Sequence, residues 1–264
     1  MAMRISVLMG VYNCALTISD ALNSLYNQTF KDFKIIICDD GSTDESYSLV
    51  KHYADSNENI ILIRNDRNMG LNYTLNHCLQ YADTEYVARM DGDDISEPTR
   101  FQTEIEFLDA HQEYAIVSTQ MTFFDENGEF RWGTGGGEPK IENFSKGTPF
   151  CHAPCMVRTE AIKAVGGYSV SDKLLRVEDY HLWIKMYKAG YRGFNLNERL
   201  YRMRDNRNAI ARRTLKNRIN EARVRYIACR ELNLPISSYI YILKPLILAL
   251  LPTSIYKYLH SRKQ

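Results

Sequence analysis

The chain has 264 residues, 45% apolar and 25% charged, so it has a globular balance and enough length for one large or two small domains around a sizeable core. Its net charge of +1 supplies no overall field toward nucleic acid, and that class of partner is set aside. Six cysteines follow no pairing rhythm, and Cys151 and Cys155 have no second pair at a zinc spacing, so a reduced, cytoplasmic setting is expected.

From Met1 the chain runs straight into a strand, with no secretory pattern. That strand, Arg4 to Gly10, is nearly all apolar, as for a strand buried on both faces. Val11-Tyr12-Asn13 forms a loop, and Ile18, Leu22 and Leu25 then fall at helical spacing. A second strand, Phe33 to Cys38, ends in Asp39-Asp40-Gly41-Ser42-Thr43-Asp44, where Ser42 or Thr43 can cap the next helix. Ile60 to Ile63 is a third strand, and Leu71, Leu75 and Leu79 mark a third helix. The fourth strand, from Tyr86, ends in Asp91-Gly92-Asp93-Asp94. This alternation with short connections predicts a doubly wound, parallel α/β sheet whose acid-rich loops face one crevice.

Pro98 to His111 reads as a helix and Tyr114 to Phe124 as a long strand. The glycine-rich stretch from Asp125 to Gly147 reads as a mobile lid or acceptor loop. A helix starts at Glu178-Asp179, where acids suit the positive end of its dipole. Trp183 on that helix falls in an apolar pattern that suits the core. A short strand is expected over Tyr191 to Leu196. Beyond Arg199 the chain is basic, with Arg202, Arg204, Arg207, Arg212 and Arg213 among its cations, and from Pro235 it is apolar and aromatic.

Three carboxylates around Gly92 repel one another unless a cation sits among them. Mg²⁺ takes one or two protein carboxylates plus substrate phosphates, so a metal-bound phosphate ligand answers the pattern, although a solvated acidic turn has the same composition. Taken in order, Val11-Tyr12-Asn13, Asp39 to Asp44, Asp91 to Asp94 and Glu178-Asp179 resemble the motifs of inverting family 2 glycosyltransferases with a GT-A fold. The resemblance covers roughly the first two hundred residues and leaves the tail outside it.

It implies a catalytic domain over residues 1–200, with a nucleotide half (1–95) and an acceptor half (96–200), followed by a helical basic and apolar extension (201–264). It implies that Asp40 accepts the N3–H of uracil and that Val11, Tyr12 and Asn13 flank base and ribose. Asp91 and Gly92 would meet the ribose, with Arg89 beside them, paired to Asp40 or Asp91. Asp93 would bind Mn²⁺ or Mg²⁺, Asp179 would be the base, and Glu178 and His152 would stand on the acceptor side. A packed, hydrogen-bonded role is equally open for His152. Many relatives carry a histidine where this chain has Arg204, which cannot ligate a metal but can clamp phosphate, as can Arg202.

The implied activity is transfer of a sugar from a UDP-hexose or UDP-HexNAc donor to a glycan or lipid-linked glycan in bacterial surface polysaccharide synthesis. A metal-dependent nucleotidyltransferase, or a sugar-nucleotide-binding module without turnover, uses much of the same apparatus. The tail suits a peripheral contact with the inner face of the cytoplasmic membrane, or packing on its own domain or on a second subunit.

Overall fold

Four parallel strands open the computed structural model, which describes residues 3–205 and 214–250. They are β1 (Ile5–Val11), β2 (Phe33–Asp39), β3 (Ile60–Arg64) and β4 (Tyr86–Asp91), joined by α1 (Ile18–Tyr26), α2 (Ser46–Ser56) and α3 (Leu71–Gln80). Their order is β3-β2-β1-β4, so the winding reverses at β1. Ligands of open α/β sheets bind at the carboxyl ends beside such a reversal. The register makes this concrete: Val11 lies beside Asp39, and Gly10 beside Asp91. Both acid-rich loops therefore leave the sheet at one edge.

The sheet continues through β8 (Met156–Arg158), β6 (Ile116–Asp125), β9 (Gly193–Arg204) and β5 (Ile95–Ser96), while β7 (Gly128–Trp132) folds back on β6. Its long ladders are parallel and its short ones antiparallel. Helices α4 (Arg100–Ala110), α5 (Thr159–Ala164) and α6 (Glu178–Lys188) complete a doubly wound α/β fold.

Two expectations are corrected. The stretch 125–147, expected as a loop, holds regular elements: β7, a 3₁₀ turn over Ile141–Ser145, and a bridge between Gly137 and Asn195. Its glycines hide these elements, since Gly128 (φ 107°) makes the hairpin turn and Gly137 (φ 103°) the bridge. Strand β9 runs on to Arg204 instead of stopping at Leu196. Asn197 and Glu198 look like a turn in sequence, but register shifts between Ser118 and Met121 let the strand continue.

One core face gathers Ile5, Val7, Met9, Phe101 and Tyr201, and the other Phe144, Phe150, Tyr180 and Trp183. The second face also takes Val224, Ala228 and Cys229 from α7 (Leu215–Glu231), so this basic helix shares the core of α6. Among its cations, Arg225 is buried and pairs with Glu221 at 2.9 Å. A 3₁₀ turn (Ile236–Ile242) and α8 (Leu243–Leu250) pack on α7. Arg207, Arg212, Arg213 and everything beyond Leu250 lie outside the described residues.

Trp183 is fully buried, with Phe150 edge-on at 5.6 Å. Trp183→Ala should cost about 3–5 kcal/mol in urea unfolding. A loss below about 1 kcal/mol would show that this helix–sheet layer is not the core described.

Candidate active site

The loop after β2 is built around two differently satisfied acids. Asp39 is fully buried; its Oδ2 accepts the Ser42 amide at 3.2 Å and pairs with Arg64 Nε at 3.0 Å. Asp40 Oδ1 accepts from Asn65 Nδ2 (2.7 Å) and the Met69 amide (2.8 Å), and its Oδ2 from the Gly70 amide (2.9 Å). A carboxylate offers about four acceptor sites, so one remains on Oδ2. Gly41 (φ 70°) makes the turn possible, because a Cβ there would lie 2.6 Å from the Arg67 backbone.

The loop after β4 holds its acids apart. Arg89 grips Asp91 with two hydrogen bonds of 2.5 Å. Arg89 is in turn backed by Arg100, whose Nη2 donates to the Arg89 carbonyl at 2.9 Å. The Asp91 amide donates to Tyr201 Oη at 3.1 Å. Asp94 is buried, and its Oδ1 accepts the Arg204 amide at 2.7 Å. Burial and the charges of Asp91 and Asp93 push its carboxyl well above the ordinary range. Asp93 is also raised, first by desolvation in the loop and then by Asp91, although its side chain reaches solvent.

Two cavities open here. One, about 340 Å³, is lined by Val11, Tyr12, Asp40, Asn68 and Glu178 among others. The other, about 600 Å³, is lined by Arg89, Asp91, His152, Asn195 and Asp179 among others. Successive residues of a helix point about 100° apart, so the first two residues of α6 serve different cavities. Glu178 thus lines the cavity of Val11 and Asp40, and Asp179 the one that holds His152. Burial, then the adjacent Glu178 charge, raises the Asp179 carboxyl to about 6. His152 hydrogen-bonds Tyr168 Oη at 2.8 Å while facing the larger cavity. Burial and the Arg89 charge hold the imidazole neutral, well below its ordinary value.

The other predicted contacts sort as follows. Asn13 takes a left-handed φ of 51° and braces the β2 loop, its Oδ1 accepting the Thr43 amide at 3.0 Å. Gly92 packs on Cys14, whose Sγ would lie 3.1 Å from a Cβ. Arg202 does not line either cavity; it pairs with Glu129 at 3.3 Å over the Phe124 ring. Arg204 also lies off both cavities, and its Nε donates to the Asp93 carbonyl at 3.1 Å. Tyr201, Arg100 and Asn65 escaped the sequence reading. Arg100 and Tyr201 lie in segments whose spacing points only to a core, and Asn65 in a loop without a motif.

Asp93 is the acid in this loop that would be available to a divalent ion. Among the described residues no three His, Cys, Asp or Glu side chains converge into a closed metal site. Asp93 nevertheless presents a carboxylate that no described side chain hydrogen-bonds, and Asp94 Oδ2 is buried without a partner. One or two carboxylates suit an ion completed by substrate phosphates.

Residues 6–166 match Glycosyl transferase family 2. A protein of Bacillus subtilis strain 168 that carries the name glycosyltransferase EpsE is 40% identical over 98% of this chain and 94% of its own. An Escherichia coli UDP-Gal:alpha-D-GlcNAc-diphosphoundecaprenol beta-1,3-galactosyltransferase is 31% identical over 98% of this chain and 96% of its own. The fold is also that of Staphylococcus aureus TarS 1-349 in complex with UDP-GlcNAc, with a TM-score of 0.70 at 20% identity over 94% of this chain and 72% of that one. The acid-ended strands, the paired cavities and these likenesses identify the chain as a member of the family 2 glycosyltransferases, with the GT-A fold.

Proposed function

We propose that the protein transfers a sugar from a UDP-sugar to a hydroxyl of a lipid-linked glycan, with inversion, in surface polysaccharide synthesis. The observation that carries this reading is the start of α6, where Glu178 and Asp179 open onto adjoining cavities. A donor in the smaller cavity and an acceptor in the larger would meet there. The free position on Asp40 Oδ2 suits the single N–H of uracil. Asp179 takes the acceptor proton as the acceptor oxygen bonds to the anomeric carbon from the face opposite the diphosphate. The bond to the diphosphate oxygen breaks and UDP leaves, so the anomeric centre inverts. Asp93 would hold a Mn²⁺ or Mg²⁺ ion, which would supply positive charge where the diphosphate leaves. The lipid-linked acceptor is carried over from the named substrate of the Escherichia coli relative. Transfer of a nucleotide by the same apparatus would release pyrophosphate in place of UDP.

Residence at the inner membrane face is part of the proposal. No described helix is long and apolar enough to cross a membrane. Ile236, Ile240, Ile247 and Leu250 are nonetheless exposed on the last elements, at 90, 68, 57 and 83%. Lys244 lies among them, and residues 235–264 contain no acid. Large exposed aliphatics beside cations suit an anionic bilayer.

Asp179→Asn should lower turnover by roughly 10²–10⁴-fold while UDP affinity holds. Wild-type turnover should rise with pH through about 6 as Asp179 loses its proton. A variant within tenfold of wild type would remove Asp179 as the base.

The same shift works against stability. The folded-state value lies above the ordinary 3.8, so the protonated form favours folding, and that contribution is lost as pH rises through about 6. Asp179→Asn should therefore be more stable than wild type at pH 8, by about 1–3 kcal/mol, and the gain should vanish at pH 4. An equal difference at both pH values would refute the assignment.

Substituting both Ile240 and Ile247 with Glu should abolish co-flotation with anionic vesicles and leave the mass in solution unchanged. A shift from dimer to monomer without any vesicle binding by wild type would place a second subunit on this face instead.

A further inference from the structure

The smaller cavity has an unbalanced charge. Its lining includes two acids, Asp40 and Glu178, and a nucleoside diphosphate would bring more negative charge. Of the cations expected from sequence to meet phosphate, Arg202 pairs with Glu129, and Arg204, whose Nε donates to the Asp93 carbonyl, lies outside the lining of this cavity. Among the residues lining this cavity one cation remains, Arg176.

Arg176 is built in an unusual way. It is exposed at the cavity wall, and no hydrogen bond or ion pair engages its guanidinium among the described residues. Its φ is +68°, in the left-handed region, where a residue with a Cβ is strained. Glycine would relieve that strain, yet the position carries the longest basic side chain. The conformation is enforced from outside. Asn220, buried on α7, donates to the carbonyls of Asp172 (3.2 Å) and Leu175 (3.3 Å). Arg223, one turn on, donates to the Lys173 carbonyl at 3.2 Å. Helix α7 thus clamps the segment that leads into Arg176, and strain maintained at a cavity wall points to use by a ligand.

We propose that Arg176 is the donor-site cation, its guanidinium hydrogen-bonding the diphosphate of the nucleotide. This rests on the reading that a nucleotide occupies the smaller cavity. Guanidinium suits the task because its planar fork matches two phosphate oxygens at once and it stays charged at any working pH. The location also matters: Arg176 lies three residues before Asp179, so the donor contact and the proposed base share one short segment.

The test measures UDP and uridine affinities, by calorimetry with Mn²⁺ present, for the full chain and for Arg176→Ala, Arg176→Gly and Arg176→Lys. Arg176→Ala and Arg176→Gly should each weaken UDP more than tenfold and uridine less than twofold, with Arg176→Lys between them and wild type. Arg176→Gly should melt no lower than wild type, since it releases the strained φ, which separates lost contact from lost fold. UDP affinity within twofold of wild type in both Ala and Gly variants would overturn the proposal while leaving the donor reading intact. Equal loss of UDP and uridine would overturn it too, because the side chain would then shape the base cavity. If wild type binds neither uridine nor UDP, the donor reading falls and this proposal falls with it.

Discussion

Burying several carboxylates at one edge of one sheet is the constraint on which the rest of the structure depends. Asp39, Asp40, Asp91 and Asp94 all sit at or just beyond the carboxyl ends of β2 and β4, which flank β1 and end level with it. Like charges this close cannot all be ionised and unpartnered in a low-dielectric setting. The fold answers each one separately. Asp39 has Arg64, Asp40 has two amides and Asn65, Asp91 has the two-pronged grip of Arg89, and Asp94 has an amide from β9 and a strongly raised pKa. Asp93 is the acid left facing solvent without a side-chain donor among the described residues. A ligand that brings its own cation would find that acid available and the others already committed.

These neutralising groups reach far from the loops. Arg100 is fully buried on α4, where it backs Arg89 and lies 3.2 Å from an equally buried Glu104. Removing one partner of such a pair strands the other charge in the core, which costs about 3–5 kcal/mol, whereas removing both can be neutral. The pair is therefore weak evidence for stability and better evidence for orientation. It fixes where Arg89 sits, and through Arg89 where Asp91 points. Tyr201, from a strand that arrives late in the chain, completes the frame by accepting the Asp91 amide. The first and second halves of the sequence meet at this residue.

The strand–helix alternation of the first ninety or so residues was legible because buried parallel strands are continuous apolar runs, and helices between them keep a 3.6-residue period. Where the acid-rich loops would go was legible for the same reason, since winding alone brings Asp39, Asp40 and Asp91 to one edge. The second half was harder. Strand β9 is half-exposed and carries Asn195, Asn197 and Glu198, so its pattern looks like a turn, and its bulged register with β6 cannot be read from composition. Arg202 and Arg204, two residues apart and so on one face of β9, both lie over Phe124, a placement set by pairing with β5 and β6 that the sequence does not show. Glu178 and Asp179 are neighbours in sequence, but one helical step separates the cavities they line, which the sequence does not show. Arg176 carried no signal at all, because a left-handed arginine is invisible until the backbone is seen.

That last residue shows how the basic helix enters the chemistry without touching a reacting atom. In sequence, α7 reads as the start of an extension with a separate task. In the structure its apolar side shares a core with Trp183, and its polar side holds the carbonyls of residues 172, 173 and 175. The segment so held runs through Arg176 into Glu178 and Asp179. A loop free to relax would let the arginine fall back to a negative φ and would swing the first turn of α6 with it. Fixing three carbonyls therefore fixes the orientation of a cation toward one cavity and of a carboxylate toward the other. The same clamp explains why the raised pKa of Asp179 can persist: its desolvation depends on the helix start staying seated, and the restraint that seats it comes from α7, which lies beyond residues 6–166.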